Sequence, residues 1–128
     1  MDTTRPSLLL RVRDAGNAEA WRDFDAIYRP MLFRFARSRG LGDAEAEDVV
    51  QHCFTAVQHH IRSFDYDPSR GRFKGWLRTL VNNRVRSVQR ARREGQAKTH
   101  VFDRMAARED NPAEAFDRIW MDAHLKTL

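Results

Sequence analysis

The sequence predicts an all-α fold, a compact bundle of about four helices with a C-terminal linker and a partial helix after it. Three observations carry that expectation. Apolar residues recur at three- and four-residue spacing through nearly the whole chain, which is the signature of helices that each bury one face. No segment alternates apolar and polar residues in the way a half-buried strand requires. Gly, Pro, Asn and Asp gather at a few places and cut the pattern into separate segments. At 128 residues the chain has one domain's length and enough material for a buried core.

A short first helix is expected over about Ser7 to Asp14, with Pro6 before it and Gly16 after it. A second covers about Ala18 to Arg39, burying Trp21, Phe24, Ile27, Tyr28, Met31, Leu32 and Phe35 and stopping at Gly40. Pro30 lies inside that pattern and should kink it, because proline removes one hydrogen bond and crowds the preceding turn. Gly42-Asp43 opens a third helix with Asp43 as N-cap. Its stripe is Ala46, Val49, Val50, Cys53, Phe54, Val57, Ile61 and Phe64, and the acids of its first turns suit the positive end of the helix dipole. DYDPSRGR at 65–72 reads as a loop.

The fourth helix, about Phe73 to Arg93, buries Phe73, Trp76, Leu77, Leu80, Val81, Val85 and Val88. Residues 94–110 are polar and read as a linker, with too few apolar groups to offset the entropy of ordering. Asn111-Pro112-Ala113-Glu114 then supplies an N-cap, a proline at the first helical position and an acid at the third. Phe116, Ile119, Trp120 and Ala123 share a face of this last helix, which reaches Leu128 without a cap. The expected organisation is a domain over 1–93, a linker over 94–110, and over 111–128 the start of a helix leading elsewhere.

The formal net charge of +5 conceals an asymmetry. Between Asp67 and Glu94 stand nine Arg or Lys and no acid, whereas the acids gather in DAEAED at 43–48 and around Glu109 to Glu114. Charge separated in this way suggests one anionic and one basic partner. A lone cysteine, Cys53, excludes an internal disulfide framework, and no apolar run approaches a membrane span or a signal peptide. A cytoplasmic protein without membrane contact is expected. His52, Cys53, His59 and His60 do not make a metal site, since the same-face pairs are seven residues apart and helical ligand pairs need three or four. No glycine-rich phosphate loop or nucleophile elbow is present, so the expectation is a binding protein without cofactor or catalytic residues.

Opposite its apolar stripe the fourth helix carries Lys74, Arg78, Asn82, Asn83, Arg86, Ser87, Arg90 and Arg93, preceded in the loop by Arg70 and Arg72. Arg and Lys neutralise phosphates and Asn can bond to a base edge, so the face suits nucleic acid. The plain alternative is a solvated basic face. Trp76 reads first as core and second as an indole on which a nucleobase could stack. On the third helix, Glu45, Glu47, Asp48, Gln51 and His52 form a polar side that could dock on a basic helix, or simply meet water.

Taken in order, AEDVVQHCF at 46–54 and FKGWLRTLVNNRVRSVQRARR at 73–93 resemble region 2 of bacterial RNA polymerase sigma factors of the extracytoplasmic-function class. Glu47, Asp48, Gln51 and Phe54 match the first motif, and Trp76, Leu77, Asn83 and Arg90 the second. WRDFDAIYRPMLFRFAR at 21–37 resembles the preceding family helix. The resemblance implies a region 2 bundle that docks on the clamp helices of the polymerase β′ subunit through Glu45, Glu47, Asp48, Gln51 and His52. It implies that the loop at 64–72 and the fourth helix recognise and melt the −10 promoter element, holding its non-template strand, with an anti-sigma protein as a further partner the family admits. His52 stands where the family usually has an acid, and Ser87 where an acid is frequent. Family members also carry a C-terminal helix-turn-helix domain, to which 111–128 resembles the lead-in. The rival reading is a small helical DNA-binding regulator that acts without polymerase.

Overall fold

The computed structural model describes residues 6–61, 72–95 and 111–125. These residues form five helices: α1 (Pro6–Val12), α2 (Ala18–Ser38), α3 (Asp43–His60), α4 (Arg72–Gly95) and α5 (Pro112–Leu125). Among the described residues there is no strand, and no helix is long and apolar enough to cross a membrane. The loop at 64–72 with Phe64 and Arg70, the side chain of Arg72, and residues 96–110 of the expected linker lie outside the described residues.

Local chemistry explains where each helix starts and stops. The Asn17 side-chain oxygen accepts from the Ala20 N–H at 3.0 Å, which satisfies one of the orphan donors at the start of α2. At the other end Gly40 takes φ 87°, Gly40 N–H donates to Arg37 O at 3.0 Å, and Leu41 N–H donates to Ala36 O at 3.4 Å. This is the Schellman arrangement, whose left-handed residue favours glycine, and it delivers Leu41 into the core. α2 remains one helix through Pro30, which is exposed.

The N-cap of α3 is Gly42, one residue earlier than the expected Asp43. Glu45 reaches back to accept from the Gly42 N–H at 2.9 Å, so the cap is made by the third residue's side chain alone. Asp43 enters the helix and faces Arg37 at 3.3 Å. α5 begins as its sequence dictates, with Asn111 accepting from the Ala113 N–H at 2.8 Å.

The core is built around α2. Phe24 stacks on Tyr28 at 4.4 Å and meets Phe54 of α3 and Phe73 of α4 edge-on at 5.6 and 6.2 Å. Leu8, Leu9 and Val12 cover it from α1, Val49, Val50, Cys53 and Val57 from α3, and Leu77, Val81 and Val85 from α4. Trp21, Trp76, Leu80 and Val88 pack on this core while remaining partly exposed.

The core does not end at Arg93. α5 lies against α2 and buries Ala115, Phe116, Ile119 and Trp120, with the Trp120 ring 5.8 Å from that of Tyr28 and Phe116 5.6 Å from Phe35. Helical periodicity identified the apolar face of this segment but could not say what covers it. His124, which the sequence did not single out, completes the seat. Its Nδ1 lies 2.8 Å from the Trp120 carbonyl, which only accepts, so Nδ1 carries the proton. Nε2 is then free to accept from the Tyr28 hydroxyl at 3.0 Å, and both nitrogens of a buried ring are satisfied. Trp120→Ala should therefore destabilise the protein by about 3–5 kcal/mol, as for a large aromatic removed from a close-packed interior. Urea unfolding measures this, and a loss of under about 1 kcal/mol would mean that α5 adds little to the core.

Candidate nucleic-acid interface

α4 runs antiparallel to α3, and two of its arginines fasten it there. Arg92 donates from Nε to Glu45 Oε2 at 3.1 Å, pairs through Nη2 with Glu45 Oε1, and donates from both Nη atoms to Gly40 O at 3.2 Å. One guanidinium thus joins the end of α2, the first turn of α3 and the last turns of α4. Eight residues earlier, Arg84 donates to Asp48 Oδ2 from Nε at 3.1 Å and from Nη2 at 2.8 Å. The Arg92–Glu45 pair is the more enclosed, with side chains 15% and 32% exposed against 31% and 49% for Arg84–Asp48. Neither arginine was among the expected site residues. Both lie beside Val81, Val85 and Val88 on the helical wheel, so their position next to the core was the readable signal.

With that side of α4 committed, a different side faces water. Asn83, Arg86, Arg90 and Arg93 are exposed at three- and four-residue spacing, so they form one stripe, with Asn82 and Ser87 half-buried beside it. Among the described residues Arg86, Arg90 and Arg93 make no ion pair. Lys74 and Arg78 are turned elsewhere, toward Asp117 of α5. Trp76 keeps one side on the core, 6.0 Å from the Phe73 ring and 6.3 Å from that of His60.

The expected docking residues of α3 divide in the same way. Glu45 and Asp48 are held by Arg92 and Arg84. Glu47 is exposed and lies 3.9 Å from Arg29, whose guanidinium is already bonded to both oxygens of Asp25 at 3.1 Å. Gln51 and His52 are exposed. Cys53 is buried, and burial pushes its thiol up to about 12, so it acts as a packing group with little thiolate character.

The Glu45 carboxyl is held below its ordinary value by the Arg92 hydrogen bond, against the effect of its own burial and with help from the Gly42 N–H. A carboxyl lowered in the folded state adds stability above its unfolded pKa and loses it as pH falls through the folded pKa. The Glu45 contribution should be complete at neutral pH and decline below the ordinary value of 4.5. Arg92→Ala should cost about 1.5–3 kcal/mol at pH 7, the range for hydrogen bonds to charged groups, and less in acid. Urea titrations at neutral and strongly acidic pH check this; the same loss at both would assign the effect to packing of the Arg92 stem.

The sigma-70 region 2 family model matches residues 24–95, from Phe24 of α2 through the end of α4, and so takes in both the arginine fastenings and the exposed stripe. The RNA polymerase sigma factor CnrH of Cupriavidus metallidurans is 35% identical over 82 residues, which cover 64% of this chain. The chain spans about two-fifths of that relative's length, since the aligned part is 41% of it. No solved structure matches. With its family motifs carried on an all-helical bundle and its matched span centred on α3 and α4, this chain belongs to the sigma-70 region 2 family, in the extracytoplasmic-function class of sigma factors.

Proposed function

We propose that this chain serves transcription initiation, docking on RNA polymerase core through α3 and holding the non-template strand of the −10 promoter element on α4. The observation that carries the reading is the exposed stripe of Asn83, Arg86, Arg90 and Arg93, whose cations make no ion pair among the described residues. Two other arginines of the same helix are spent on α3, so the stripe is what α4 can offer to an outside anion. Cations there neutralise phosphates irrespective of sequence, and an amide at Asn83 is placed to read a base edge. Unstacking a base costs a few kcal/mol, which a protein pocket and stacking must offset. In this proposal the loop at 64–72 receives that base, with the half-buried Trp76 beside it in sequence. The role is binding without a catalysed reaction, carried out in the cytoplasm.

Docking on the polymerase β′ clamp helices falls to Glu47, Gln51 and His52, the exposed residues of the expected set that neither Arg84 nor Arg92 holds. One observation favours the rival, a DNA-binding regulator independent of polymerase. Glu45 and Asp48 already have partners within the chain, so the acidic helix does not by itself demand a basic partner. A pull-down with polymerase core separates the two readings, and Gln51→Ala is the informative variant because this exposed side chain makes no hydrogen bond among the described residues. Retention of the native protein but not of Gln51→Ala supports docking through α3; no retention of either favours the rival.

The DNA face is tested by fluorescence anisotropy with short oligonucleotides. A single-stranded −10-like oligonucleotide should bind better than the same sequence as duplex. Arg86→Ala should weaken all sequences alike and reduce the salt slope by about 0.7 for a single strand. Asn83→Ala should instead blur the preference between bases, by roughly 1–3 kcal/mol for a good polar contact. Equal binding of single strand and duplex, with Asn83→Ala behaving like Arg86→Ala, would reduce α4 to a generic basic face.

A further inference from the structure

α5 brings an acid to the helix that carries the cations. Asp117 Oδ1 lies 3.3 Å from Lys74 Nζ and 3.7 Å from Arg78 Nη1. Lys74 and Arg78 are one helical turn apart, so a single carboxylate oxygen serves both. That oxygen is buried and makes no hydrogen bond of good geometry, so the attraction is one of charge. The helix that presents it is firmly seated. Phe116 and Trp120, on either side of Asp117 in sequence, are buried, His124 bonds to Tyr28, and Asp122 pairs with Arg34 at 2.6 Å. Asp117 is thus held against α4 by apolar contacts that do not depend on the ion pair.

A phosphate oxygen of bound nucleic acid would seek the same two cations. We propose that α5 is an internal competitor of nucleic acid: Asp117 occupies Lys74 and Arg78 and withholds these two cations of α4 from an outside anion, leaving the stripe from Asn83 to Arg93 open. The proposal rests on the reading of α4 as the DNA face. It makes the number of phosphates engaged depend on whether Asp117 is displaced, because each Lys or Arg released to a phosphate adds to the counterions set free on binding.

The test uses the full 128-residue chain and a fluorescent single-stranded oligodeoxynucleotide, titrated by anisotropy at several salt concentrations. Asp117→Asn keeps the shape of the side chain and removes its charge. It should tighten binding at low salt and steepen the salt slope by about 0.7 for each cation released, about 1.4 for both. Glu114→Gln changes the net charge equally from an exposed position on the same helix and should leave the slope unaltered. Lys74→Ala should weaken the Asp117→Asn protein more than it weakens the native chain, a coupling that general electrostatics does not produce. If Asp117→Asn steepens the slope no more than Glu114→Gln, or if Lys74→Ala acts equally in both backgrounds, the competition is refuted. Arg86→Ala keeps the two claims apart. Weaker binding in that variant with no special effect of Asp117→Asn removes only the role of α5, whereas unchanged binding removes the DNA face itself. Asp117→Ser serves in the same comparisons if the asparagine variant does not fold.

Discussion

The rotation of α4 about its own axis is the constraint on which the functional surface depends. Arg92 and Arg84, fastened to Glu45 and Asp48, hold one flank of the helix against α3 while Phe73, Leu77, Val81 and Val85 fill the core. A helix turns about 100° per residue, so a slip of one position would carry Arg86 or Arg90 from solvent toward a neighbour. Burial of the valines and Leu77 supplies most of the stabilisation, but a valine stripe alone tolerates small rotations. The ion pairs are directional and add the register. Arg84–Asp48 is half-exposed and worth at most about 1 kcal/mol as a surface pair. Arg92 contributes more, because its fork is enclosed and satisfied by a carboxylate and a backbone carbonyl at once.

The cations of α4 are thereby divided among three kinds of partner. Among the described side chains, Arg84 and Arg92 beside the valine stripe meet the acids of α3, Lys74 and Arg78 meet Asp117 of α5, and Arg86, Arg90 and Arg93 remain available to an outside anion. Net charge does not distinguish these classes; only the face on which each residue lies does so. The same sorting applies to α3, where two of the five expected docking residues, Glu45 and Asp48, are consumed in holding the bundle together.

Tyr28 links the two halves of the molecule. Its ring joins Phe24, Phe73 and Trp120, and its hydroxyl donates to His124, so a polar group at the centre of the core has its partner on the last helix. Without α5 that hydroxyl would lose the His124 nitrogen, and Phe35 would lose the ring of Phe116. The stability of the family-matched region is therefore tied to a segment that lies beyond it in sequence.

The sequence by itself determined the all-helical class, the five helices to within two residues at nearly every end that can be compared, and the apolar face of each. These follow from local rules: periodicity, caps such as Asn111, and the glycine at position 40. Spacing also put Asn83, Arg86, Arg90 and Arg93 on one face of α4, but it counted Lys74 and Arg78 on that face as well, and these the fold turns toward Asp117. Only the tertiary structure decided which charged residues are spent within the fold. Arg84 and Arg92 differ from Arg86 and Arg90 only in lying beside the valine stripe, and Glu45 differs from Glu47 only in the side of α3 it occupies; neither position names the partner. Their fates depend on residues 36 and 47 positions away, brought near by the antiparallel packing of two helices. The covering of Tyr28 by α5 was hidden for the same reason. An amphipathic pattern states that a face is buried, and the chain must fold before anything states against what.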